Sequence, residues 1–304
     1  MVQTKLFGGV VIPMLTPFNE DESIDLDATQ EIIEHFISAK TIPFILGTTG
    51  ESASIPDLHK PEFVKKVVKA VAGRNKIYSG ISSNALITSL QLANEYSDSG
   101  IDVFVAHLPS YYPLTEIQII KYYELLADKL PRPLIIYNIP ATTHVSIPLD
   151  VIDKLSHHQN IIGLKDSERD LQRLEEAIEK WKNRSDFSHF IGWAAQSANG
   201  LLRGSDGIVP SNGNMCPALF YALYQAAING DRDLALQLQQ ETDTIASIYQ
   251  GVKTIGQTIA AQKLIMSQMG LCKPVVLPPL SRFYPEEESE IIEKAIKMDL
   301  KWER

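Results

Sequence analysis

Eight short, mainly apolar and often β-branched runs recur along the chain, each closed by Gly, Pro or polar residues. They read GVVIPMLTP near the N-terminus, PFILGTTG from Pro43, IYSGISS from Ile77 and DVFVAHLP from Asp102. LIIYNIP from Leu134, IIGLKDS from Ile161, HFIGWA from His189 and GIVPSNGN from Gly207 complete the series. Their spacing of about 20 to 35 residues is the length of one βα unit. Between them the apolar positions shift to helical spacing: Ile32, Ile33, Phe36 and Ile37 in one stretch, Phe63, Val64, Val67, Val68 and Val71 in the next, and Leu171, Leu174 and Ile178 further on. Continuous apolar strands alternating with amphipathic helices specify a parallel sheet covered by helices.

Eight such units, with no glycine-rich dinucleotide turn, predict an α/β fold of the closed (β/α)8 TIM-barrel type. The 304 residues, 44% of them hydrophobic, suffice for a barrel. After residue 214 the strand signals nearly stop, and helical stretches ending at Gly230 and Gly270 follow. The expected division is a barrel over residues 1–230 and a C-terminal helical extension over 231–304, packed on it as one structural unit. A net charge of −9 argues against nucleic acid or an anionic membrane as partner, because both require a basic footprint. Cys216 and Cys272 form no CxxC pair, which favours a reduced, cytoplasmic setting over a disulfide framework. The first residues lack a basic segment leading into an apolar run, so no signal peptide is expected, and no apolar stretch approaches the ~18 residues of a membrane helix.

Chemistry in such barrels collects at the C-terminal ends of the strands. That position selects Thr48 and Thr49 after the second run, Tyr111 and Tyr112 after the fourth, Tyr137 in the fifth and Lys165 in the sixth. A free lysine is neutral in only about one molecule in a few thousand at pH 7, and burial raises that fraction by penalising the charged form. The neutral amine can form an imine with a 2-oxo acid, and the protonated imine is an electron sink. The alternative is a rim salt bridge from Lys165 to Asp166, Glu168 or Asp170; the acidic residues from Asp166 onward are expected in the loop and first turn of the next helix. The GTTGE segment offers hydroxyls and backbone N–H groups of Thr48, Thr49 and Gly50 to a carboxylate, and no GK[ST] follows to make it a phosphate loop. Tyr137, among apolar neighbours, either passes a proton in the barrel mouth or is a core tyrosine. Val209, in the eighth run, is also expected to touch substrate. No metal site is expected, because no cluster of His with Asp or Glu falls at the rim.

Taken together, GTTGES, YYP, YNIP and GLKDS occur in the order and at roughly the separations of the dihydrodipicolinate synthase and N-acetylneuraminate lyase family, which this sequence resembles from the first strand to the C-terminal PPL. The resemblance implies that Lys165 forms a Schiff base with pyruvate or the pyruvyl end of a sugar acid, with no separate cofactor. It implies that Thr48 and Thr49 bind the carboxylate, that Tyr137 transfers protons, and that Tyr112 reaches a neighbouring subunit's site in a threonine–tyrosine–tyrosine relay. A homotetramer built as a dimer of dimers is the implied assembly. Two departures bear on substrate. Lysine-pathway synthases similar to this protein carry an arginine in a pattern close to SRTG after YN[IV]P; here the segment is ATTH, with Thr142 in the arginine slot and His144 in place of glycine. Sialic acid lyases carry an acidic pair after the seventh strand, where Trp193, Ala194 and Ala195 stand here. The expected activity is therefore a Schiff-base lyase cleaving, forming or dehydrating a short 2-oxo-3-deoxy or 4-hydroxy-2-oxo acid, with Thr142, His144, Trp193 and Gln196 selecting the substrate. Dihydrodipicolinate synthesis from pyruvate and aspartate semialdehyde, a non-catalytic sugar-acid-binding barrel and a metal-dependent aldolase are the alternatives.

Overall fold

Strands β1 (Gly9–Pro13), β2 (Ile42–Ile45), β3 (Tyr78–Gly80), β4 (Val103–His107), β5 (Leu134–Asn138), β6 (Ile161–Asp166), β7 (Ser188–Ile191) and β8 (Gly207–Ile208) close into a barrel in sequence order. All neighbours run parallel, and β8 returns to β1 through the pairs Gly9 with Gly207 and Val10 with Ile208. The structure is a computed structural model that describes residues 5–249 and 254–298. Helices alternate with the strands, so the chain is a (β/α)8 TIM barrel followed by C-terminal helices.

The two-residue period of each strand sorts side chains between two cores. Val103 and Val105 of β4 join Val11, Phe44, Ile135 and Phe190 inside the barrel, whereas Phe104 and Ala106 face outward with Ile12, Ile45 and Ile136 against helix residues such as Ile32, Phe36 and Val67. Burial on both faces explains why the strands read as nearly unbroken apolar runs. β8 is short because Pro210, which has no N–H to donate, follows it closely and the chain then turns through Ser211–Asn214.

Helix starts follow local chemistry. Asp25 caps Leu26–Ser38 by accepting from the Ala28 N–H at 3.0 Å, and Asp170 caps Leu171–Trp181 through Arg173 N–H at 3.0 Å. Two sequence expectations shift here. Leu171 is the first residue of its helix and is 49% exposed, so the buried face is Leu174, Ala177, Ile178 and Trp181. Asp166 ends β6, paired in register with Asn138, rather than opening the next loop.

The helix after β8 is Pro217–Ile228, and Arg232–Ser247, Ile255–Gln268 and Pro285–Lys297 follow it. Buried residues of these last three helices, among them Leu238, Ile259, Ile265 and Ile291, belong to the same apolar cluster as the outer layer of the barrel. The end of the last helix as expected from sequence, residues 299–304, lies outside the described residues, as does Gln250. Among the described residues no helix is long and apolar enough to cross a membrane.

Candidate active site

Lys165 is the fifth of the six residues of β6, one before its C-terminal end, and is 5% exposed. Its Nζ lies 3.7 Å from the centroid of the Tyr137 ring and 4.9 Å from that of Phe44. The inward parity of β5 and β6, with Tyr137 directly opposite Lys165 in register, places the amine against an aromatic wall. Burial is the largest influence on the amine and draws its pKa below the ordinary lysine value; the Tyr137 side chain opposes this more weakly.

The acidic residues that follow are engaged away from Lys165. Asp166 accepts from Arg173 Nε at 2.7 Å and from Asn138 Nδ2 at 2.8 Å. Glu168 accepts from Asn138 Nδ2 at 2.9 Å and Ser146 Oγ at 2.6 Å, and Asp170 is spent on its helix cap. Strand parity explains this, since Lys165 faces the interior and its neighbour Asp166 faces the helices. The rim salt bridge weighed from the sequence does not form: none of the ion pairs among the described residues includes Lys165.

Thr48 and Thr49 sit half-buried in the loop after β2. The loop is bent by left-handed residues at both ends, Leu46 with φ 54° and Glu51 with φ 54°. Glu51 N–H donates to Thr48 O at 3.1 Å, and Thr16 Oγ1, from the loop after β1, donates to Gly50 O at 2.8 Å. A Cβ on Gly50 would stand 2.9 Å from Met14 O, so the close approach of two loops requires glycine there. Neither threonine hydroxyl is bonded to another protein group among the described residues, and both are free for a ligand.

The other rim residues spread around the mouth. Thr142 is half-buried in the short helix Pro140–Thr143, in a segment with no strand or helix signal of its own. His144, exposed, caps it in the left-handed region with φ 58°, the conformation that glycine adopts most cheaply. Trp193 is half-buried after β7; Gln196 accepts from Asn199 Nδ2 at 2.9 Å within the turn that follows. Val209 is buried in the inner core, its N–H donating to Ile191 O at 2.7 Å. Tyr111 and Tyr112 are 76% and 70% exposed and pack edge to face at 5.0 Å, outside the buried cluster around Lys165.

The dihydrodipicolinate synthetase family model matches residues 6–298. The chain belongs to that family. It is 26% identical over 294 residues to the 4-hydroxy-tetrahydrodipicolinate synthase of Alkalilimnicola ehrlichii, covering 96% of this chain and 99% of that one. A solved dihydrodipicolinate synthase from Bacteroides thetaiotaomicron superposes with a TM-score of 0.91 at 30% identity, covering 96% and 99% of the two chains. YagE, an Escherichia coli K12 prophage protein of the dihydrodipicolinic acid synthase family solved in complex with pyruvate, gives a TM-score of 0.89 at 26% identity, covering 97% and 99%. As a dihydrodipicolinate synthetase family member, this chain is a lyase of the class I aldolase type.

Two features of this family member escape a rim search by sequence. His107 ends β4 directly opposite Tyr137, with ring centroids 6.1 Å apart; the alternation Val103, Val105, His107 carries the inward parity that could have found it. Glu51, left-handed and buried next to Gly50, pairs with Lys263 of helix Ile255–Gln268 at 2.5 Å, and both side chains are wholly buried. Glu51 also accepts from Leu277 N–H at 2.8 Å, while Lys263 Nζ donates to Val275 O at 2.7 Å. Burial draws the Glu51 carboxyl up and the Lys263 ammonium down, and each partner opposes the shift of the other. No local pattern announces a pair so distant in sequence.

Proposed function

We propose that Lys165 forms an imine with the 2-oxo group of its substrate and that the enzyme is a Schiff-base lyase for short 2-oxo-3-deoxy or 4-hydroxy-2-oxo acids, with pyruvate as the usual keto fragment. The observation that carries this reading is a buried lysine at a strand end, beside Tyr137, whose neighbouring carboxylates are bound elsewhere. The same arrangement weighs against a mere binding barrel, since holding a sugar acid requires neither a buried amine nor an adjacent phenol.

In this reading the substrate carboxylate is held by the hydroxyls of Thr48 and Thr49 and the backbone of Gly50. The neutral Lys165 amine adds to C2, and the Tyr137 hydroxyl passes protons to the oxygen that leaves as water. The protonated imine then accepts the electron pair left at C3 when the C3–C4 bond breaks or a C3 proton is removed, and in the latter case the enamine pair expels the C4 hydroxyl, which leaves as water. Thr142 and His144 follow β5, and Trp193 and Gln196 follow β7, so these four, with Val209, are the residues that would meet the far end of the substrate. Tyr112, exposed on each chain, would complete the relay of a neighbouring subunit in a homotetramer. A cytoplasmic setting is part of the same reading, with the thiols of Cys216 and Cys272 free.

The test is borohydride reduction in the presence of pyruvate, followed by peptide mass spectrometry. A pyruvate adduct on Lys165 is the expected result; an adduct elsewhere, or none, overturns the imine. Dihydrodipicolinate synthesis is the second reading, favoured by the names of similar proteins such as that of Alkalilimnicola ehrlichii. Against it stands Thr142 where similar synthases carry the arginine that holds the second carboxylate. Turnover of pyruvate with aspartate semialdehyde at ordinary enzymatic rates would decide for it.

A further inference from the structure

His107, Tyr137, Lys165 and Phe190 are paired in register across β4, β5, β6 and β7 and share the inward parity of their strands. Adjacent strands lie about 4.8 Å apart, so these four side chains line one continuous stretch of the inner barrel wall near the C-terminal ends of their strands. The His107 backbone N–H donates to Ser82 Oγ at 2.9 Å, and its Nδ1 lies 2.8 Å from the Leu108 carbonyl oxygen. A carbonyl only accepts, so Nδ1 carries the hydrogen and the neutral ring keeps its lone pair on Nε2. That nitrogen has no partner among the described residues, on a ring that is only partly buried.

We propose that His107 is the acid and base that moves the proton at C3 of the lysine-bound substrate, a role that rests on the Lys165 imine proposed above. The imine carbon C2 is bonded to Lys165 Nζ, and C3 is one bond further. Nζ stands 3.7 Å from the Tyr137 ring centroid, the His107 ring lies 6.1 Å from the same ring, and the Lys165 charge acts on His107, so these three side chains are neighbours on the wall that a C3 held on Nζ would face. In the cleavage direction the C4 hydroxyl proton leaves through the Tyr137 hydroxyl to water. The C3–C4 pair becomes the C2–C3 double bond of an enamine, the C2–N pair returns to nitrogen, and an aldehyde departs. The imidazolium of His107, charged by a proton from water, protonates C3 and restores the iminium, which water hydrolyses to pyruvate and free Lys165. In the reverse direction neutral Nε2 removes a C3 proton from the pyruvate imine. Burial and the nearby Lys165 both depress the His107 pKa, which keeps Nε2 unprotonated and ready for that removal at neutral pH.

The reaction that isolates this step is exchange of the pyruvate methyl hydrogens in deuterated water, followed by proton NMR. It requires the imine and a base at C3, and no second substrate. His107→Asn keeps a donor for the Leu108 carbonyl, His107→Gln keeps an amide near the Nε2 position, and both lack a titratable base. The expected result is exchange slowed by about a hundredfold or more in both variants, in line with loss of a general base. Borohydride still traps pyruvate on Lys165 in each, which also certifies the fold. Wild-type exchange rates in variants that still trap pyruvate would leave the C3 proton to Tyr137 or water and overturn the proposal. Absence of trapping in the wild-type protein would instead remove the imine, and the role of His107 with it.

Discussion

Lys165 is held inside an aromatic cage where its charged form loses water and gains no carboxylate. A folded-state pKa below that of the unfolded chain means that the amine opposes folding at every pH below the ordinary lysine value of 10.5. Lys165→Met is therefore expected to abolish pyruvate trapping while raising the unfolding free energy by about 1–2 kcal/mol, read by urea denaturation at pH 7. A variant less stable than the wild type contradicts the account. His189 shows the same physics away from the site. It is buried on β7 with Nδ1 3.0 Å from Ser205 Oγ, and burial lowers its pKa from 6.5 to about 3. Its contribution to stability is complete above pH 6.5 and is lost as pH falls toward 3, because the unfolded chain then binds the extra proton. His189→Gln should flatten the acid dependence by up to ~1.4 kcal/mol per pH unit in that window; urea midpoints that run parallel to the wild type from pH 6 to 4 would exclude it. Lys165 and Tyr137 were legible in the sequence because strand parity and position suffice to find them. The Arg173 that occupies Asp166 was not, since its helix had to be packed against β6 first.

The loop after β2 is held close against the loop after β1. Thr16 reaches it from the loop after β1, and Gly50 lies against Met14 O with no room for a Cβ. Gly50→Ala should push the Thr48–Thr49 hydroxyls out of position while leaving β6 untouched. The pyruvate concentration for half-maximal trapping is expected to rise about tenfold or more, with Lys165 still the trapped residue. An unchanged pyruvate dependence would detach the loop from the carboxylate. At this scale the sequence announced strands and helix faces well, because apolar periodicity is a local property. It misjudged Leu171, which carries the apolar spacing of a buried position but begins its helix at the surface, and it had no signal for the short helix Pro140–Thr143.

Across the whole molecule, two tethers join the rim loops to the helices that follow the barrel. Gln239 accepts from Ala198 N–H at 2.9 Å and donates to Ala194 O at 3.2 Å, steadying the turn after β7. Glu51 and Lys263 do the same for the loop after β2. Lys263→Met strands a buried carboxylate and should cost about 3–5 kcal/mol, whereas Glu51→Leu combined with Lys263→Met should cost less than the single Lys263 change. Chemical denaturation of the three proteins reads this, and strictly additive losses would deny the coupling. The closed barrel was readable from eight spaced runs, but these tethers join residues far apart in sequence and exist only once the chain has folded.

The Glu51–Lys263 pair also bears on synthesis. Translation delivers all eight strands, with Thr48, Tyr137 and Lys165 among them, well before Lys263 leaves the ribosome. Until then Glu51 has no cation to bury against, and the loop beside it lacks its tether to the helices that follow the barrel. If Lys165 forms the proposed imine, a chain halted before Lys263 would carry that lysine beside a Thr48–Thr49 loop without this tether, and its full capacity to capture a 2-oxo acid would come only with the last quarter of the chain.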